Sequence, residues 1–460
     1  MLELNPYQRV HFIGIGGAGL SAIARILLER GFSVSGSDLK GSPLTAALAA
    51  DGARVFVGHE AGNVEGADVV LATSAAPPDH VEILAARAQD IPVYKRKDFM
   101  GAILGNGDTI AVAGTHGKTT TTSMIIHILK SAGKDPSFIV GGTLANWGAN
   151  AGVGKGPSFV IEADEYDNMF HGLNPTLAVI TNVEHDHPDF FKTKAQMRAA
   201  FKTFVETLSP CGTLIACADD EAAHAIADEH RAERGQAITY GISNEAAEWR
   251  AADLRFDNEL VTASVLHRGS PSVELKLSLP GAHNALNALA ALVAAGERGV
   301  CPEESAEALE SFRATARRFE YRGERDGVIV VDDYAHHPTE ILVNIEAARR
   351  RYPEREIWAV WQPHTYSRIQ QFWRGFISAF AGADGVLITP IYAAREAAIA
   401  GVTSQALVEA MSDHGGAVYA PSFDAAVEIL RRDVRAPAVL LIFSAGDANQ
   451  IADLYLGGEA

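Results

Sequence analysis

The sequence predicts an α/β protein of three domains built on largely parallel sheets. Three observations lead there. The chain has 460 residues, more than one core of ordinary size serves. Two apolar runs, at 10–15 and 110–113, each pass through a glycine-rich turn directly into a helical pattern. A third series of apolar runs begins near Phe319, and in every series the polar and ionisable residues gather where an apolar run ends, which is where open α/β sheets bind ligands.

The bulk composition narrows the partners. A formal charge of −18 argues against broad affinity for nucleic acid or anionic membrane, and no Lys/Arg-rich tract offsets it. Cys211, Cys217 and Cys301 have no metal-site spacing and form an odd set, as suits a reducing compartment. Neither a signal peptide nor a membrane span is visible, so a cytoplasmic protein is expected.

The first domain is expected over residues 1–105 and is Rossmann-like. A strand at 10–15 leads through Gly14, Gly16, Gly17 and Gly19 into an amphipathic run at 20–30. Such glycines permit a tight turn and close approach of a diphosphate to a helix N-terminus. The next strand, 32–37, ends at Asp38, about twenty residues on, where an acidic side chain meets a ribose in such folds. Weaker strands at 55–58 and 69–73 and a helix at 81–89 follow, with a turn at Ala76, Pro77 and Pro78. Alone, this segment also admits a nicotinamide-dependent oxidoreductase, but that reading leaves the next domain unexplained.

The central domain, 106–316, opens on TIAVAGTHGKTTTT at 109–122. Gly114, Thr115, His116 and Gly117 form a loop sized for phosphate, Lys118 supplies a point charge, Thr119 a hydroxyl for Mg²⁺, and Thr120 continues into a helix. Val112 stands where the full P-loop pattern has a further glycine, so this is a shortened variant. An ordinary glycine-rich turn would account for the glycines but not for Gly-Lys-Thr at a helix start. Strands at 138–140, 159–161, 177–181 and 213–216 alternate with helices, the signature of a doubly wound parallel sheet. Two strand ends carry EADEYD (162–167) and NVEHDH (182–187), a set of carboxylates and imidazoles suited to Mg²⁺ held against nucleotide oxygens. Any single one of them could be a solvated loop charge. Residues 237–279 alternate apolar and polar positions and read as an antiparallel addition. His283, Asn284 and Asn287 stand at the start of an alanine-rich helix, 285–295, as caps or as contacts to a base or ribose.

The third domain, 317–460, is again Rossmann-like. A strand at 328–331 delivers Asp332, Asp333, Tyr334, His336 and His337 before a helix at 339–350. A second, 357–361, ends in Gln362, His364, Thr365, Ser367 and Arg368, and 385–389 and 439–443 are further buried strands.

Taken together and in this order, Gly-Thr-His-Gly-Lys-Thr, EADE, NVEHDH, His-Asn with Asn287, Arg317-Arg318-Phe319, DDYAHHPTE and QPHTYSR resemble the Mur ligase family over nearly the whole chain. The resemblance implies an ATP-dependent amide ligase acting through an acyl phosphate on UDP-N-acetylmuramate, with L-alanine as the amine. By the same resemblance, Gly114, Thr115, Gly117, Lys118, Thr119, Thr120, Asn284 and Asn287 would hold ATP. Thr119, Glu162 and His187 would hold Mg²⁺, with Glu165 the alternative carboxylate. Lys118, His187, Arg318 and Asp333 would serve catalysis, the last two as the third domain closes over the nucleotide. Gly16, Gly17, Gly19 and Asp38 would take the sugar nucleotide, and Tyr334, His364 and Arg368 the amino acid. Two departures stand out: Thr365 where relatives often carry arginine, and Tyr166 in place of a small hydroxyl residue. Some members carry a carbamylated lysine near the position of Lys202, a place that Phe201 could equally occupy; carbamylation is left open, and a solvated lysine is the favoured reading of Lys202. The remaining family alternative joins a preformed tripeptide to the same sugar nucleotide. A homodimer is left open, since oligomeric state is not legible here.

Overall fold

The protein is described from a computed structural model covering residues 4, 8–105, 107–257, 260–394, 396–411 and 416–457. Residue 106, at the expected first domain boundary, lies outside the described residues. The chain forms two compact units: Met1–Val183, Arg198–Trp249 and Ala290–Ala308 make the first, and Glu184–Met197, Arg250–Leu289 and Leu309–Ala460 the second. The α/β class with parallel-rich sheets is as the sequence predicts.

In the first unit, β1 (Arg9–Ile13), β2 (Ser33–Asp38), β3 (Arg54–Val57), β4 (Val69–Ala72) and β5 (Val93–Lys95) form a parallel sheet in the order β3-β2-β1-β4-β5. The strand order reverses beside β1, so the turn after β1 stands at the crevice where such sheets bind ligands. The central strands are β6 (Asp108–Ala113), β7 (Ser137–Leu144), β8 (Ala149–Gly152), β9 (Ser158–Glu162), β10 (Leu177–Ile180), β11 (Thr213–Cys217) and β12 (Ala237–Gly241), ordered β12-β11-β10-β6-β9-β7-β8. The inner strand β6 is flanked by β10 and β9, both parallel to it, so the loop after β6 lies between the two strand ends that carry EADE and NVEHDH.

In the second unit, β13 (Trp249–Phe256), β14 (Val261–His267) and β15 (Ser270–Leu277) are the expected antiparallel strands, with one side of β14 buried at Val261, Ala263 and Val265. The last sheet holds β16 (Glu320–Arg325), β17 (Val328–Asp333), β18 (Glu356–Trp361), β19 (Gly385–Ile388), β20 (Val418–Tyr419) and β21 (Ala438–Phe443), in the order β16-β17-β21-β18-β19-β20. Its strands are apolar on both faces because helices cover both. Ile329, Val331, Ala359, Trp361, Leu441 and Phe443 pack into one core, and the alternate residues Val328, Val330, Val360, Leu440 and Ile442 into another.

The alanine-rich helix runs Ala282–Gly296, three residues earlier than its pattern suggests, because Gly281 takes the turn with φ +95°. Asn284 therefore lies in the first turn, where its amide donates to the Pro280 carbonyl at 2.7 Å and its Oδ1 accepts from Asn287 at 3.3 Å.

Candidate active site

In the first unit the phosphate loop is built by left-handed glycines and pinned by a neighbouring strand end. Gly114 has φ +145° and Gly117 φ +79°, conformations that side chains resist. The loop backbone is then tied to the residues after β10. The Thr115 and His116 N–H groups donate to the Asn182 carbonyl and Oδ1 at 3.1 and 2.9 Å, and Thr181 Oγ1 donates to the His116 carbonyl at 2.6 Å. A Cβ on Gly114 would collide with the Thr181 hydroxyl. Gly117 then caps the helix Lys118–Ser131 with no side-chain acceptor at the N-terminus, the kind of helix end at which backbone amides can meet an anion.

Lys118 and Thr119, first in that helix, meet different carboxylates. The Lys118 ammonium lies 2.9 Å from Glu165, which is fully buried, and also donates to the Gly114 and Thr115 carbonyls. Burial disfavours the charge, but Glu165 and then Glu162 outweigh it and the lysine pKa is raised, so Lys118 stays cationic. Thr119 Oγ1 lies 3.1 and 3.0 Å from the two Glu162 oxygens, and the Gly141 N–H donates to the same carboxylate at 2.7 Å. Thr120 continues the helix, half-buried.

The N-terminal glycine loop is similarly closed by backbone. Gly14 and Ile15 donate to the Ser37 carbonyl at 2.8 and 3.0 Å, and Gly17 to that of Gly14. Asp38, expected to face a ribose, accepts the Gly16 N–H at 2.9 Å, so its carboxylate fixes the loop. Gly19 lies in the first turn of the helix Ala18–Glu29.

The second unit brings Glu184 to His187 together with the two motifs of the last sheet. Asp186 and Arg368 form a buried forked pair: Nε to Oδ1 at 2.8 Å and Nη2 to Oδ2 at 3.3 Å. Burial opposes both charges most strongly, yet each partner overcomes it, holding Asp186 well below and Arg368 above its ordinary range. The third guanidinium nitrogen, Nη1, donates to His364 Nδ1 at 3.2 Å. His364 stacks on Tyr392 with centroids 5.6 Å apart. His187 follows Asp186 with φ +52°, its backbone N–H donating to Asp186 Oδ1 at 2.7 Å. Glu184 accepts from Thr339 Oγ1 at 2.9 Å.

Tyr334 is partly exposed, with the Arg317 and Arg318 guanidinium groups each 5.3 Å from its ring. Arg317 is anchored to Asp332 and to the Ser444 and Gly446 carbonyls. Asp333 is buried and receives the Phe319 and Ala335 N–H groups and the Asn344 amide at 2.7–2.9 Å. Burial still raises its pKa to about 6, against the pull of Arg318.

Thr365 is not idle. Its hydroxyl and that of Ser367 both donate to Glu396, at 2.6 and 2.5 Å, and the Ser367 N–H joins them at 2.7 Å. Lys202 is exposed and paired with Glu229 at 3.1 Å, a solvated lysine rather than a site residue, whereas the adjacent Phe201 is fully buried.

Burial lowers the His336 imidazole to about 3 and that of His364 to about 4, with Arg368 adding to the effect on His364. Both are neutral at pH 7. A depressed folded pKa means that the unfolded chain takes up protons the native state refuses, so this stability is present above the unfolded value of 6.5 and is lost as pH falls from there toward 4. Each histidine is expected to remove on the order of 2 kcal/mol by about pH 5. Denaturant unfolding of wild type and His364→Gln at pH 7.5 and about 5 checks this: the variant loses less on acidification, and equal losses would contradict it.

Thr181 under the phosphate loop and Glu396 beside Thr365 lie in no motif of the sequence, whereas Asn182 and Asp186 lie within NVEHDH, which marks them as strand-end polar residues without disclosing that one pins the phosphate loop and the other pairs with Arg368.

Set beside known proteins, the chain matches the Mur ligase family, catalytic domain, over residues 9–107, the Mur ligase middle domain over 112–295, and the Mur ligase, glutamate ligase domain over 317–446. It is 43% identical over 453 residues to a UDP-N-acetylmuramate--L-alanine ligase of Rubrobacter xylanophilus, covering 98% of this chain and 99% of that one. The crystal structure of a UDP-N-acetylmuramate-alanine ligase from Thermotoga maritima superposes with a TM-score of 0.83 at 29% identity, covering 98% of this chain and 99% of that one. A murein peptide ligase from Psychrobacter arcticus shares the fold, with a TM-score of 0.71 at 24% identity and 98% coverage of both chains.

Proposed function

The chain belongs to the Mur ligase family, and from that premise we infer that it joins L-alanine to the lactyl carboxylate of UDP-N-acetylmuramate, with ATP, in cytoplasmic peptidoglycan precursor synthesis. The observation that carries the reading is end-to-end likeness, at about two residues in five, to ligases of that reaction. The lactyl carboxylate attacks the γ-phosphate of ATP, giving ADP and an acyl phosphate. The amine of alanine then adds to the acyl carbon, and phosphate leaves as the amide forms.

This chain's residues supply positioning and charge. Lys118 sets a permanent cation against the phosphoryl oxygens, held in register by Glu165 and by two loop carbonyls. The amides of Gly117 to Thr119 orient phosphate from the helix end. Thr119 and Glu162 offer hard oxygens at one point, with the carboxylate fixed by the Gly141 N–H, and this set fits Mg²⁺. When bound there, magnesium neutralises phosphate charge. We assign His187 to a second ion, and Asn284 and Asn287 to the nucleotide.

On the amine side, Arg368 with His364 and Tyr334 receives the amino acid. Because Asp186 occupies one face of the Arg368 fork, the Nη1 edge beside His364 is the face offered to the alanine carboxylate. The imidazoles of His336 and His364 are neutral at pH 7 and add no charge beside Arg368, and with pKa values this low they are not assigned as the base for the attacking amine.

Phosphate release with ATP, Mg²⁺ and UDP-N-acetylmuramate, comparing L-alanine, glycine, L-serine and the tripeptide, tests the reading. Turnover led by L-alanine is expected. Turnover only with tripeptide would keep the chemistry and move the chain to the recycling branch of the family.

A further inference from the structure

The glycine loop after β1 is followed by the helix Ala18–Glu29, whose N-cap, Gly17, has no side-chain hydrogen bond. Two cations at the start of the helix Arg96–Leu104 come into the same neighbourhood, and their situations differ. The Lys95 ammonium is spent on structure, donating to the Thr73 and Ala76 carbonyls at 2.9 and 3.2 Å, and so holds the turn after β4. Arg96 is not tied down in that way. Its Nε is buried and has no acceptor among the described residues. Its Nη1 stands 3.5 Å from Asp164, a long contact for an ion pair. The same guanidinium lies on Gly19, so that a Cβ there would stand 2.7 Å from Nη1 and 2.8 Å from the guanidinium carbon.

These observations explain each other. Residue 19 lacks a side chain where a planar cation presses against the first turn of an uncapped helix. A phosphate placed at that helix end would meet backbone amides and the planar fork of Arg96 together, and it would give Nε an acceptor. Asp164 keeps the guanidinium oriented without saturating it.

We infer that Arg96 is the side-chain ligand for the diphosphate of the sugar nucleotide, and that Gly19 is glycine to let it reach there. The inference rests on the reading of this loop as the sugar-nucleotide site. It also links the two loops of the first unit, since Asp164 belongs to the strand end that carries Glu162.

Calorimetric titration of the full chain with UDP and with uridine tests it, because the two probes differ only in the diphosphate. Wild type is expected to bind UDP well and uridine weakly. Arg96→Ala is expected to lose about tenfold or more in UDP affinity with uridine affinity unchanged, and Arg96→Lys to recover part of the loss. Gly19→Ala, which keeps the arginine but displaces it, should reproduce the UDP loss, so the inference survives a fold defect in either variant alone. Equal UDP affinity in wild type, Arg96→Ala and Gly19→Ala overturns the assignment of Arg96. Equal loss for UDP and uridine overturns it too, since that is the mark of a merely structural residue. Wild type that fails to bind UDP overturns instead the sugar-nucleotide reading of the loop.

Discussion

Lys118→Met is expected to cut kcat by at least about a thousandfold, since it removes a side-chain cation at the head of the phosphate-loop helix that is tied to the loop itself. The substitution has a second consequence. Glu165 is fully buried and its carboxylate would lose its ammonium, at a cost of about 3–5 kcal/mol. Catalytic and structural effects therefore need separating. The double variant Lys118→Met with Glu165→Gln removes the stranded charge, so it is expected to recover most of the stability and none of the activity. Phosphate release measured beside urea unfolding decides this. A double variant that is both stable and active would refute the role given to Lys118.

The second large effect lies in the other unit. Asp186→Ala and Arg368→Ala each leave a buried charge without its partner, and each is expected to destabilise the protein by about 3–5 kcal/mol. Removing both as Asp186→Leu with Arg368→Met should cost much less than the two single changes added together, giving a coupling energy of several kcal/mol. Alanine-dependent turnover should be absent in all three. ATP binding, which depends on the first unit's loop, should persist. Single variants costing under about 1 kcal/mol would mean that the pair is solvated in solution.

These two pairs also show what the sequence could and could not disclose. Lys118 is legible because its surroundings are local: a strand, two glycines and a helix start lie within ten positions, and each has its own pattern. Even so, its partner Glu165 stands 47 positions on, and only its place at the end of an apolar run marked it as a candidate beside Glu162. The structure separates the two, Glu162 with Thr119 and Glu165 with Lys118. Asp186 and Arg368 are 182 positions apart, and no periodicity relates them. The same holds for Arg96 against Gly19. Thr365 was legible as a departure, but its partner Glu396 was not, because a hydroxyl can be satisfied by any acceptor the fold delivers. The start of the helix at Ala282 was misplaced by three residues because Asn284 reads as a cap when taken alone, while the turn was made earlier by Gly281.

The central claim is that the sugar-nucleotide carboxylate is phosphorylated by ATP before the amine attacks. It is tested most directly with UDP-N-acetylmuramate labelled with ¹⁸O in the lactyl carboxylate, incubated with ATP, Mg²⁺ and L-alanine, with the released phosphate read by mass. One carboxylate oxygen is expected to appear in each phosphate, and ADP to be the other product. Unlabelled phosphate, or label recovered in AMP with release of pyrophosphate, would contradict it.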